Sequence, residues 1–136
     1  MNNEKTCYYA FQGFADICHV IYRNQERFGF PAFLILCTLD RDKQKTAENF
    51  QMSYADSQMT ETVICENLKK GDAFTRYSGT QYLILKMGDE SECEQLCQTL
   101  QYDLQKSIAD QIHVKFICSP LGQLKPSGER KQAVYI

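Results

Sequence analysis

A chain of 136 residues is the size of one globular domain and too short for two domains with separate cores. With 43% hydrophobic against 24% charged residues it has the material for a core, which excludes a disordered chain. Lys plus Arg number 15 against 17 Asp plus Glu, a net charge of −2 with no basic block, which argues against nucleic-acid binding through phosphate contacts. The longest apolar run, 30–39, contains Pro31 and Thr38 and is half the roughly twenty residues a membrane-spanning helix needs. No basic segment leads into an apolar stretch at the N-terminus, so no secretory signal is read and a cytoplasmic location is expected. The seven cysteines are an odd number in a chain large enough to need no staples, and are expected to be reduced and mostly buried.

In chain order, Phe14, Ile17, Cys18, Ile21 and Phe28 recur at helical steps with Arg23, Asn24, Glu26 and Arg27 between them, which predicts an amphipathic helix over 14–28. Gly29 and Pro31 stop it. The apolar run 32–39 then predicts a buried central strand. Residues 40–45 read as a charged turn. Ala47, Phe50, Tyr54, Met59, Val63 and Ile64 predict a second helix over 46–68, frayed or broken near 53–57. Residues 73–77 and 81–86 flank Ser78-Gly79-Thr80 and predict a β-hairpin. Ser91 and Glu94 suggest a capping box for a third helix carrying Cys93, Leu96, Cys97, Leu100, Leu104 and Ile108. A last strand follows at 112–118, with Val114, Phe116 and Cys118 alternating against His113, Lys115 and Ile117. The expected fold is α+β, ferredoxin-like, with a leading helix, an antiparallel sheet of four or five strands and two helices on one of its faces. The domain is placed at 1–124. The polar tail 125–136 carries 133–136 as an optional edge strand.

Chemistry is sparse. His19 and His113 lack a recognisable catalytic partner, and His113 reads as solvated. Cys93 and Cys97 sit at i, i+4 and offer half a metal site, but no second pair completes it, so core packing is the preferred reading. Asp40 and Asp42 are candidate metal carboxylates, although the interleaved Arg41 and Lys43 favour a solvated turn. Neither standard phosphate-cradling motif is present. The most informative segment is the hairpin, Arg76-Tyr77-Ser78-Gly79-Thr80-Gln81-Tyr82, running into Leu83-Ile84-Leu85.

At that hairpin the sequence resembles a GGDEF domain of the diguanylate cyclase family, whose signature follows an arginine and an aromatic residue and runs into an apolar strand. The five signature positions read Ser78, Gly79, Thr80, Gln81 and Tyr82. The strand ending at Asp40 resembles the one that carries the family's first metal acid, and the segment 68–72 resembles the approach to the signature. A closer resemblance is to the degenerate version of this domain at the C-terminus of bacterial transcriptional regulators that carry a bacterial transcriptional activation domain.

The resemblance implies a nucleotide-cyclase-like fold and a groove formed by Asp40, Arg76, Ser78, Gly79, Thr80 and Gln81. Family members hold two divalent ions between the strand acid and a signature acid, a clamp for phosphoryl transfer. Here the acidic signature positions are the uncharged Thr80 and Gln81. The family's inhibitory product site corresponds to Lys69 and Asp72, where lysine lacks the bidentate fork of arginine. The expectation is therefore a domain that is not an enzyme, has no catalytic residues and takes neither metal nor cofactor. It would serve as a regulatory or dimerisation module in bacterial signalling or transcription control.

The alternative is a domain that senses GTP or cyclic di-GMP without turning it over. Expected partners are proteins, other domains of a regulator or a second copy of the chain, with Phe14, Ile17 and Ile21 as a candidate contact surface unless that helix packs on its own sheet. No membrane, DNA or RNA is expected. RNA binding through a base stacked on Tyr82 is disfavoured by the charge balance.

Overall fold

The computed structural model describes residues 7–41 and 50–121. The first helix, α1 (Phe11–Phe28), ends where Gly29 adopts a left-handed φ of 72° and donates its N–H to the Gln25 carbonyl. A side chain would resist that backbone, and Pro31 keeps the helix from resuming.

β1 (Ala32–Arg41) is central in the sheet, paired antiparallel to β3 (Gln81–Met87) on one side and to β4 (Ile112–Pro120) on the other. β2 (Ala73–Ser78) pairs with β3 and completes the order β2-β3-β1-β4. With α2 (Tyr54–Asn67) and α3 (Glu90–Ser107) between strands, the order after α1 is βαββαβ, the expected ferredoxin-like arrangement.

Each face of the sheet carries its own core. Ile35, Cys37, Leu39, Phe74, Tyr82 and Ile84 meet Val63 and Ile64 of α2 and Cys93, Leu96, Leu100 and Leu104 of α3. On the other face Leu34, Leu83 and Leu85 meet Phe14 and Cys18, with Ile17 and Ile21 packed against them. The helix proposed from sequence as a partner surface thus spends Phe14, Ile17 and Ile21 on its own sheet. Burial pushes the Cys18 and Cys37 thiols up to about 12, where they stay protonated and inert.

Three local expectations are corrected. The second helix starts at Tyr54, capped by the Ser53 side chain accepting from the Asp56 N–H, so the expected break is its beginning. Its buried residues are Ser57, Thr60, Val63 and Ile64, while Tyr54 and Met59 face solvent. The capping box that opens α3 is Asp89 with Glu92, two residues before Ser91 and Glu94. Cys7 and Cys65, expected reduced, are joined in a disulfide. A short parallel bridge between Tyr8 and Phe74, with Phe74 donating its N–H to the Cys7 carbonyl, holds the N-terminal segment on the edge of β2 and delivers Cys7 to α2. Of the expected turn at 40–45, Asp40 and Arg41 belong instead to β1, which runs past the apolar residues; 42–45 with Asp42, and the tail with its optional strand at 133–136, lie outside the described residues. Among the described residues no helix is long and apolar enough to cross a membrane.

Candidate functional site

The β2–β3 hairpin turns through Gly79 and Thr80, with Ser78 opposite Gln81 and a register shift between Arg76 and Ser78. That irregularity divides the hairpin's side chains between the two faces of the sheet.

On the α2 face Arg76 lies opposite Tyr82, with its guanidinium 5.5 Å from the centre of the ring. Arg76 pairs with Glu61 at 3.3 Å, donates to Ser57 Oγ at 3.0 Å and to the Gly79 carbonyl at 3.2 Å. The Tyr82 hydroxyl donates to the same Glu61 oxygen at 2.9 Å. Burial, reinforced by the Glu61 carboxylate, raises the Tyr82 phenol above its ordinary pKa and keeps it a donor. Arg76 is thus a strut between α2 and the turn. Tyr82 is fully buried, which removes the reading of a base stacked on its ring.

On the α1 face Thr38 of β1 lies opposite Gln81, and Gln81 Nε2 donates to Thr38 Oγ1 at 3.2 Å. Ser78 Oγ lies 3.1 Å from Gln81 Oε1 and accepts the Thr80 N–H. The Leu39 N–H donates to the Thr80 carbonyl at 2.9 Å and fastens the turn to β1. Asp40, two residues beyond Thr38 and therefore on the same face, is exposed. Nothing lies within 4 Å of where a side chain on Gly79 would begin, and its φ is ordinary. Packing therefore does not demand glycine here, and its effect is to leave the space over the turn open.

At the other end of the hairpin, Lys69 and Asp72 do come together, though not as a ligand pair. Asp72 is buried, accepting the Lys69 N–H at 2.8 Å, the Lys86 ammonium at 3.2 Å and the Met87 N–H at 2.9 Å. Lys86 is buried with it. Asp72 is occupied in anchoring the root of the hairpin, and the Lys69 side chain is exposed. His19 and His113 are both exposed.

Sequence reasoning placed Arg76, Ser78, Gly79, Thr80, Gln81 and Asp40 in one groove. The structure puts Asp40, Ser78 and Gln81 on one face, leaves Gly79 and Thr80 in the turn itself, and directs Arg76 to the other face. Glu61, Ser57 and Thr38 were missed. The i, i+4 spacing of Ser57 and Glu61 on α2 was the available signal for the first two.

No family model and no curated protein sequence matches the chain. Solved structures do. A DGC protein from Thermotoga maritima superposes with a TM-score of 0.67 at 11% identity, over 85% of this chain and 82% of that one. The diguanylate cyclase SiaD from Pseudomonas aeruginosa, solved with its activator SiaC, gives 0.62 at 11% identity over 82% of this chain and 46% of that one. A microbial GGDEF domain studied with cyclic di-GMP gives 0.61 at 15% identity over 82% and 70%. The chain has the fold of a GGDEF domain.

These comparisons correct the expectation that the chain is not an enzyme: the GGDEF domains it superposes on include diguanylate cyclases. That expectation rested on the missing charge of Thr80 and Gln81, and two neutral side chains do not define what the remaining groups of a GGDEF fold can do. They bear only on metal. Among the described residues Asp40 is the one carboxylate on the open face of the hairpin, so the donors there do not fit a two-ion clamp.

Proposed function

We propose that this GGDEF-fold chain is a regulatory domain of bacterial signalling or transcription control that takes a guanine nucleotide, GTP or cyclic di-GMP, on the open face of its hairpin. The observation that carries the reading is the contrast across the turn. Arg76 is locked to α2 while Thr38, Gln81 and Ser78 form a polar row on the face that also carries Asp40, beside a turn with an uncovered Gly79. Side-chain amides and hydroxyls supply both donors and acceptors, the inventory that reads a base edge or a ribose. Further support comes from the GGDEF domain studied with cyclic di-GMP, which has the same fold.

Isothermal titration of the full chain with GTP, ATP and cyclic di-GMP in magnesium tests this. A micromolar guanine nucleotide complex, weakened at least tenfold by Gln81→Ala, is expected. No heat with any of the three would overturn it. A protein partner in the cytoplasm or a second copy of the chain belongs to the same reading, supported by the relative solved with its activator and by the exposed ring of Phe28 stacked on Phe30. Light scattering at micromolar concentration separates the two, since a clean monomer removes the second copy.

A further inference from the structure

We infer that Cys93, Cys97 and Cys118 form a binding site for a thiophilic d10 cation of the zinc class, held by three thiolates with a fourth position open to water or an outside ligand. The i, i+4 spacing on α3 places Cys93 and Cys97 on one face of that helix. On β4, Cys118 lies opposite Ile35 in the β1 ladder and so shares the face of Ile35, which packs against the two helices. The three sulfur atoms lie within 4.8 Å of one another, with Cys97 and Cys118 at 3.5 Å. A zinc ion with bonds of about 2.3 Å to sulfur at tetrahedral angles sets its sulfurs about 3.8 Å apart, so closure needs only small side-chain adjustments.

Core packing accounts fully for Cys93 and in part for Cys97. Cys93 is buried, but Cys97 is only half-buried and Cys118 is exposed at the end of an edge strand. Exposure rising along the cluster gives a cup, closed at the bottom and open to solvent at the top. An ion entering there would meet three ligands fixed on a long helix and a strand, with little ordering left to do. Thiolates select soft ions such as zinc and copper(I) over magnesium or calcium, so this site is chemically distinct from the hairpin, whose donors are oxygens and an amide. Each thiol that binds releases its proton to solvent, so affinity rises with pH.

The test uses the full chain with the Cys7–Cys65 link intact and the thiols of Cys93, Cys97 and Cys118 free, kept free of oxygen and titrated with Co²⁺ as a coloured probe and then with Zn²⁺. One equivalent of Co²⁺ with a thiolate-to-cobalt charge-transfer band, bleached by Zn²⁺, is expected. The band is lost in Cys118→Ser and in Cys97→Ala, two positions exposed enough to leave the fold intact, as circular dichroism checks. Zn²⁺ should raise the melting temperature of the parent and of neither variant. Absence of the band would overturn the proposal, as would its survival in both variants. So would a Cys97–Cys118 disulfide, seen as a loss of two hydrogens by mass, that persists under reductant and excludes the ion.

Discussion

The two ends of the β2–β3 hairpin are built from opposite materials. At the root an aspartate and a lysine are buried against each other, and every nearby backbone donor that needs the carboxylate has it. At the tip Thr38, Ser78, Thr80 and Gln81 are neutral and half-buried or exposed, and Ser78, Gln81 and Thr38 are bonded to one another. A charge buried at the root holds the hairpin in place and is unavailable to a ligand. Neutral groups at the tip contribute little to holding the fold and are free to meet one. Both ends stood as candidate sites in the sequence; at the root Asp72 is buried while Lys69 is exposed, and at the tip Ser78 and Gly79 are exposed.

The sharpest break of this contrast is at the root. Asp72→Asn leaves the Lys86 ammonium buried without a counter-charge and should cost about 3–5 kcal/mol, measured by urea unfolding. Loss of under 1 kcal/mol would mean the root is not what anchors the hairpin. Next in size is the Cys7–Cys65 link, which spans 58 residues of chain and pins the N-terminal segment beside β2. Cys65→Ser should lower stability by about 2–4 kcal/mol, read from the same unfolding curve.

The strut behind the tip is weaker. Tyr82→Phe removes one hydrogen bond to Glu61 and should cost about 1 kcal/mol. It also has a pH signature. Burial and Glu61 hold the phenol protonated past its ordinary pKa of about 10, so the native state keeps a proton that the unfolded chain gives up. Tyr82 therefore contributes fully below about pH 10, and that contribution fades as the pH climbs through its raised native value. In Tyr82→Phe this part of the alkaline decline should disappear from denaturation curves taken between pH 9 and 12. The smallest expected change in stability is at the tip, where Gln81→Ala should shift unfolding by about 0.5 kcal/mol or less while weakening nucleotide binding.

Periodicity carried most of the fold. The stripe of Leu96, Leu100 and Leu104, the run through Ile35 and Cys37, and the glycine stop at 29 each write a local rule into adjacent residues, and the structure follows them. The start of α2 was illegible because Tyr54 and Met59 sit on its solvent side while Ser57 and Thr60 are buried, inverting the pattern that marks a helix face. What the sequence hides is chiefly long-range. Arg76 looked like a ligand-binding arginine because its partner Glu61 lies 15 residues away on another element. Cys118 looked like a strand residue because its neighbours in space are 21 and 25 positions earlier. The Cys7–Cys65 link depends on an edge bridge that no local pattern announces.

The most direct test of the difference between tip and root is a residue-resolved amide spectrum of the ¹⁵N-labelled chain, recorded as GTP, and in a second series cyclic di-GMP, is added with magnesium. The account predicts shifts gathered at Thr38, Asp40 and Ser78 through Gln81, with Lys69, Asp72 and Lys86 unmoved. Shifts centred on Lys69 and Asp72, or none at the hairpin tip at saturating nucleotide, would contradict it.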